Sequence, residues 1–177
     1  MEENVFKGWD NFYLMIGSAG GALIGLLFVV VTLTSGFERA KVLRATTLYM
    51  TPTAVHFGVV LVTSAVALAP RLPSSAVGIL FALSAVAGLV NAIWACLGIR
   101  AGIPGSEPPH WSDLWFYGVL PAVAYVALLG TSVALWLETA WAAHATAACL
   151  LALLLLGIRD AWDLVTWMAP RQKDEAR

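Results

Sequence analysis

The residues able to carry chemistry are few and fall in three places. His56 and Asn91 each interrupt an apolar stretch, and Arg159, Asp160 and Asp163 crowd together near the end of the last one. In hydrocarbon a polar side chain is costly unless paired, so such residues mark function or a specific contact. His56 falls about ten residues, roughly 15 Å, from one end of its stretch; Asn91 falls about eight, roughly 12 Å, from the same side. The two can therefore meet. One reading makes His56 a proton acceptor or ligand-binding group oriented by Asn91. The other makes it a hydrogen bond that glues two helices. Tyr125, one turn past Pro121, completes this candidate polar, pore or ligand site.

Arg159 and Asp163 are one helical turn apart and can pair along the helix. With Asp160 they form a charge cluster that reads as a cytoplasmic gate, as a docking point, or as the place where a helix leaves the bilayer. No Ser-His-Asp or Cys-His nucleophile pattern, phosphate loop, dinucleotide fingerprint or HExxH occurs, so no catalytic residue and no cofactor is assigned. His144, Glu138 and Asp10 fall short of a metal ligand set, and no metal is expected. Cys96 and Cys149 sit in apolar runs and read as small buried hydrophobes.

The elements that position these residues follow from composition. The chain is 60% hydrophobic and 12% charged, with a net charge of −1. Soluble proteins carry about 25% charged residues, and nothing here offers a basic field for nucleic acid. A membrane-spanning helix needs about 20 apolar residues. Five stretches qualify: 10–34, 46–69, 73–99, 112–137 and 140–168. The fold class is an all-α integral membrane protein, a bundle of five transmembrane helices. Residues 1–9 form an extracytoplasmic segment, 10–169 the membrane domain and 170–177 a cytoplasmic tail. The first ten residues lack the basic region of a signal peptide, so the first helix is expected to be retained.

Gly17, Gly21 and Gly25 recur every four residues on the first helix. In water they would weaken it; in a bilayer the helix forms regardless, and the glycines leave a groove for a neighbour. Ser84, Gly88, Ala92 and Cys96 make a second smooth face on the third helix. That face is the natural partner of the glycine face, and a second copy of the first helix is equally allowed. Pro52 and Pro121 are expected to kink the second and fourth helices, and two kinks can frame a cavity.

Basic residues set the orientation. With the N-terminus outside, Arg39, Lys41, Arg44, Arg100, Arg159, Arg171, Lys173 and Arg177 are cytoplasmic, and only Lys7 and Arg71 are not. The expected topology is N-out/C-in. Two segments, Trp9 to Tyr13 continuing through Gly17-Ser18-Ala19-Gly20-Gly21-Ala22-Leu23-Ile24-Gly25 to Val29, and Gly157-Ile158-Arg159-Asp160-Ala161-Trp162-Asp163-Leu164-Val165, resemble the two ends of a family of small bacterial polytopic membrane proteins. Some of its members are labelled as modulators of the membrane-anchored AAA protease. The resemblance implies the bacterial inner membrane. Three functions follow, in this order: a non-enzymatic oligomeric channel or small-solute permeation protein; a partner or regulatory subunit of another membrane protein, such as a protease; a membrane enzyme acting on lipid or quinone. The expected partners are the lipid bilayer and either further copies or a second membrane protein.

Overall fold

The computed structural model describes residues 5–34, 49–102 and 110–168, and among these every regular element is helical. Helix α1 runs Asp10–Thr34, α2 Thr51–Leu68, α3 Ser74–Ala101, α4 Trp111–Trp136 and α5 Ala142–Met168. All five are long and apolar enough to cross a membrane, so the chain is a multi-pass membrane helix bundle. Two connections are visible, both at the end holding the start of α1. They are short turns that use left-handed backbone at Arg71 (φ 62°) and Glu138 (φ 52°). The tight second turn, in which Thr139 N–H and Oγ1 both donate to Ala134 O, delays α5 to Ala142. The links 35–48 and 103–109, with residues 1–4 and the tail 169–177, lie outside the described residues, as do Arg39, Lys41, Arg44, Arg171, Lys173 and Arg177.

Helices α2, α3, α4 and α5 close a ring, each packed on the next and α5 back on α2. Helix α1 lies outside the ring against α2 and touches α5 less. The hub is therefore α2, which buries Thr53, His56, Phe57, Val60 and Thr63.

This corrects the expected pairing of the two smooth faces. The glycine face of α1 meets α2: a Cβ on Gly17 would lie 2.8 Å from Ser64 Cβ, and one on Gly20 would lie 3.0 Å from the Phe57 carbonyl. Among the described residues Gly21 has only Leu61 Cδ1 at 3.8 Å, and Gly25 has nothing within 4 Å. The closest contact row is thus Gly17 and Gly20, while Leu23, Ile24 and Leu27 continue the packing of α1 with larger side chains. The face on α3 instead receives the large side chains of α4. Gly88 seats the Tyr125 ring, Gly78 seats Trp136, and Gly118 of α4 seats Cys96. Gly88 and Ala92 are buried there, whereas Ser84 is only half-buried and donates back to its own helix at Leu80 O, 2.9 Å. Tyrosine and tryptophan need glycine-sized holes to approach this closely; α1 carries neither along its inner face past Tyr13.

At both prolines the backbone departs from a regular α-helix nearby. Pro52 sits in the first turn of the regular helix α2, where its missing N–H costs nothing. Tyr49 and Met50 ahead of it wind in a wider π-type turn. In α4 the π-turn spans Trp115–Val119, just before Pro121, with Leu120 N–H bonding to Trp115 O. The wider turn relieves the clash that the proline ring would make in a regular helix.

Candidate functional site

The carboxyl of Asp160 is the centre of the strongest polar constellation. Its side chain is 0% exposed although it belongs to a cluster expected at the membrane boundary. The α5 register explains this: Gly157, one turn earlier on nearly the same face, abuts the Phe57 ring of α2, so that face points into the bundle. Arg159 Nη1 donates to Asp160 Oδ1 at 3.1 Å. Its Nη2 lies 3.8 Å from Asp163 Oδ2, one turn on. The expected Arg159–Asp163 pairing is present, and the shorter bond goes to the adjacent Asp160. The guanidinium stacks 3.7 Å above the Phe116 ring, a favourable cation–π arrangement. Asp160 Oδ2 is buried without a hydrogen-bond partner among the described residues.

Two tyrosines close the cluster. Tyr117 Oη donates to the Asp160 main-chain carbonyl at 3.2 Å, and the Tyr49 ring meets Tyr117 edge-on at 5.0 Å. Burial, then the negative charges of Asp113 and Asp163, push the Tyr49 hydroxyl above its ordinary value, so it stays protonated as a donor. The two π-turns supply both tyrosines and Phe116. Sequence reasoning placed neither Tyr49, Phe116 nor Tyr117 at this site. The available signal was an aromatic residue three to five positions before each proline, Tyr49 before Pro52 and Phe116-Tyr117 before Pro121.

The second constellation lies deeper. His56 Nδ1 is 2.6 Å from Tyr125 Oη, and both residues are fully buried. The phenol is the stronger proton donor of the two, so we assign Tyr125 as donor to Nδ1 with the imidazole proton on Nε2. His56 Nε2 and Asn91 Oδ1 both lack a partner among the described residues. The expected His56–Asn91 pairing is thus replaced by His56–Tyr125. Gly88 lets the Tyr125 ring pack closely on α3 while its hydroxyl reaches His56 of α2.

A groove of about 630 Å³ runs between α4 and α5 along the outside of the ring. Leu120, Ala124, Ala127, Ala148 and Ala152 line it, and Arg159 stands at its end. Among the described residues no group of three or more His, Cys, Asp or Glu is placed to hold a metal. His144 meets Trp9 edge-on at 4.7 Å. Chemically, the arrangement offers a fixed guanidinium, a half-exposed carboxylate and an apolar groove. A scan of family models and searches of curated proteins and solved structures found no match.

Proposed function

We propose that this chain is a non-enzymatic subunit of the bacterial inner membrane, oriented N-out/C-in, that works by assembling with a further transmembrane helix. The helix belongs to a second copy or to another membrane protein. The observation that carries this reading is the exposed outer face of α1. From Gly21 to Val29 the helix has no fully buried residue, and Ala22, Leu26 and Phe28 are exposed. Gly25 is open for close approach among the described residues. The resemblance to proteins labelled as protease modulators points the same way. Permeation remains as the second reading only in the form of a route between copies. Within one chain His56 is bonded to Tyr125 and neighboured in sequence by Phe57, and all three are fully buried.

Gly25→Leu separates assembly from folding, because a Cβ added there meets nothing within 4 Å among the described residues. The wild type should purify from mild detergent as a stoichiometric assembly, by mass measurement. The variant should melt at the wild-type temperature and lose the assembly. A single chain of unchanged mass in both would sink the proposal. Liposomes that pass an ion or small solute, with flux altered in His56→Ala, would favour permeation; tight liposomes would remove it.

A further inference from the structure

We propose that the α4–α5 groove binds one acyl chain of a zwitterionic aminophospholipid, with the lipid phosphate on Arg159 and its ammonium group on Asp163. This goes beyond the assembly reading and uses a different face. The groove has the chemistry of an amphiphile site: its walls are apolar along their length, and its one charged wall is at the end.

That end is built to hold its charge in place. An arginine near a helix end ordinarily swings its head out to water. Here Arg159 is tied to the wholly buried Asp160 at 3.1 Å and laid flat on Phe116. It stays at the groove mouth, one-third exposed. A guanidinium carries five donors, and the two aspartates engage one nitrogen each, so donors remain for a phosphate oxygen.

Asp163 selects the headgroup. It is half-exposed and only loosely held, 3.8 Å from Arg159 Nη2. It lies one turn, about 6 Å, beyond Arg159 toward the helix end. Phosphate first and ammonium further out is the order of groups in an aminophospholipid read from the acyl chain. An anionic headgroup with no ammonium would satisfy Arg159 and then face a carboxylate. The depth is also right: Trp111, Trp115 and Trp162 are exposed at this end of the bundle, where tryptophan marks the headgroup level.

The test is native mass spectrometry of the protein taken from bilayers with equal phosphatidylethanolamine and phosphatidylglycerol. The expected result is one retained phosphatidylethanolamine per chain, favoured by about tenfold. Asp163→Asn should remove the preference, and Ala152→Leu, which fills the groove, should lower retention of both lipids about tenfold. Both variants are to be checked for an unchanged melt. In the wild type, phosphatidylethanolamine with a photoreactive acyl chain should label the α5 peptide containing Leu155 and Leu156, a readout that needs no variant. Phosphatidylglycerol retained equally or better overturns the headgroup assignment. Labelling spread over all five helices, with retention indifferent to both variants, means annular lipid only and overturns the site. A cross-link from Ala127→Cys to a second protein chain gives the groove to a protein and overturns it as well.

Discussion

At Tyr125 a single phenol holds two jobs that can be taken apart. Its ring fills the hole that Gly88 leaves in α3, and its hydroxyl satisfies His56 Nδ1 at 2.6 Å. Tyr125→Phe keeps the first and deletes the second. Interhelical hydrogen bonds of this kind contribute about 0.6 kcal/mol on average and at most about 1.7, so a modest fall in melting temperature is expected. Gly88→Ala drives a Cβ into the ring and should cost more, about 1–3 kcal/mol as overpacking. Equal effects in a thermal melt would show that the ring fit contributes nothing beyond the hydrogen bond. Arg159 and Asp160 pose the converse question. Arg159→Leu leaves a buried carboxyl without its cation, at about 3–5 kcal/mol when a buried pair is broken. Replacing both residues by leucine removes the orphan and should restore most of the loss. A double variant as unstable as the single would mean that Asp160 is held by something other than Arg159.

At the scale of elements, the two π-turns decide what the Asp160 cluster contains. Trp115–Val119 precedes Pro121, and the extra residue in that turn aims Phe116 at Arg159 and Tyr117 at the Asp160 carbonyl. The turn also brings Gly118 onto Cys96 of α3 so closely that a Cβ would overlap Sγ. Gly118→Ala should therefore lower the melting temperature, and adding Cys96→Ala should recover it, since the sulfur is the atom in the way. No recovery in the double variant would place the constraint in the π-turn backbone instead. The existence and extent of the helices were legible in the sequence, because apolar length alone decides them: α1 begins and ends where the apolar run does. The interior of α4 was not legible. A proline announces a disturbance, but not that a wider turn ahead of it, Trp115–Val119, accommodates it and brings Gly118 onto Cys96. The burial of Asp160 was hidden for a similar reason: it depends on which face of α5 meets Phe57, and the sequence of α5 alone does not carry that.

For the whole molecule, the pairing of helices is the part that sequence hides. In lipid every apolar face is equally at home, so partner choice rests on steric fit between side chains far apart in the chain. The small residues of α1 and α3 look alike as patterns. Only the large side chains opposite distinguish them: Tyr125 and Trp136 from α4 claim α3, and α1 is left to α2. The result is a closed four-helix ring with one attached helix. Two glycines about two turns apart on that helix then have opposite consequences. Gly17→Leu forces a side chain into Ser64 Cβ, 2.8 Å from where the Cβ alone would sit, and should push the start of α1 off the ring against the hydrogen bond from Tyr13 Oη to Ala143 O at 2.9 Å. A Cβ added at Gly25 meets nothing within 4 Å among the described residues. Spin labels on the exposed positions Leu14 of α1 and Ile79 of α3 report the separation by double electron–electron resonance. The distance should lengthen or broaden in Gly17→Leu and match the wild type in Gly25→Leu, while the helicity of both variants stays at the wild-type value. A shift in Gly25→Leu of the same size would show that α1 is seated on the ring along its whole length, and the open face on which the assembly reading rests would not exist.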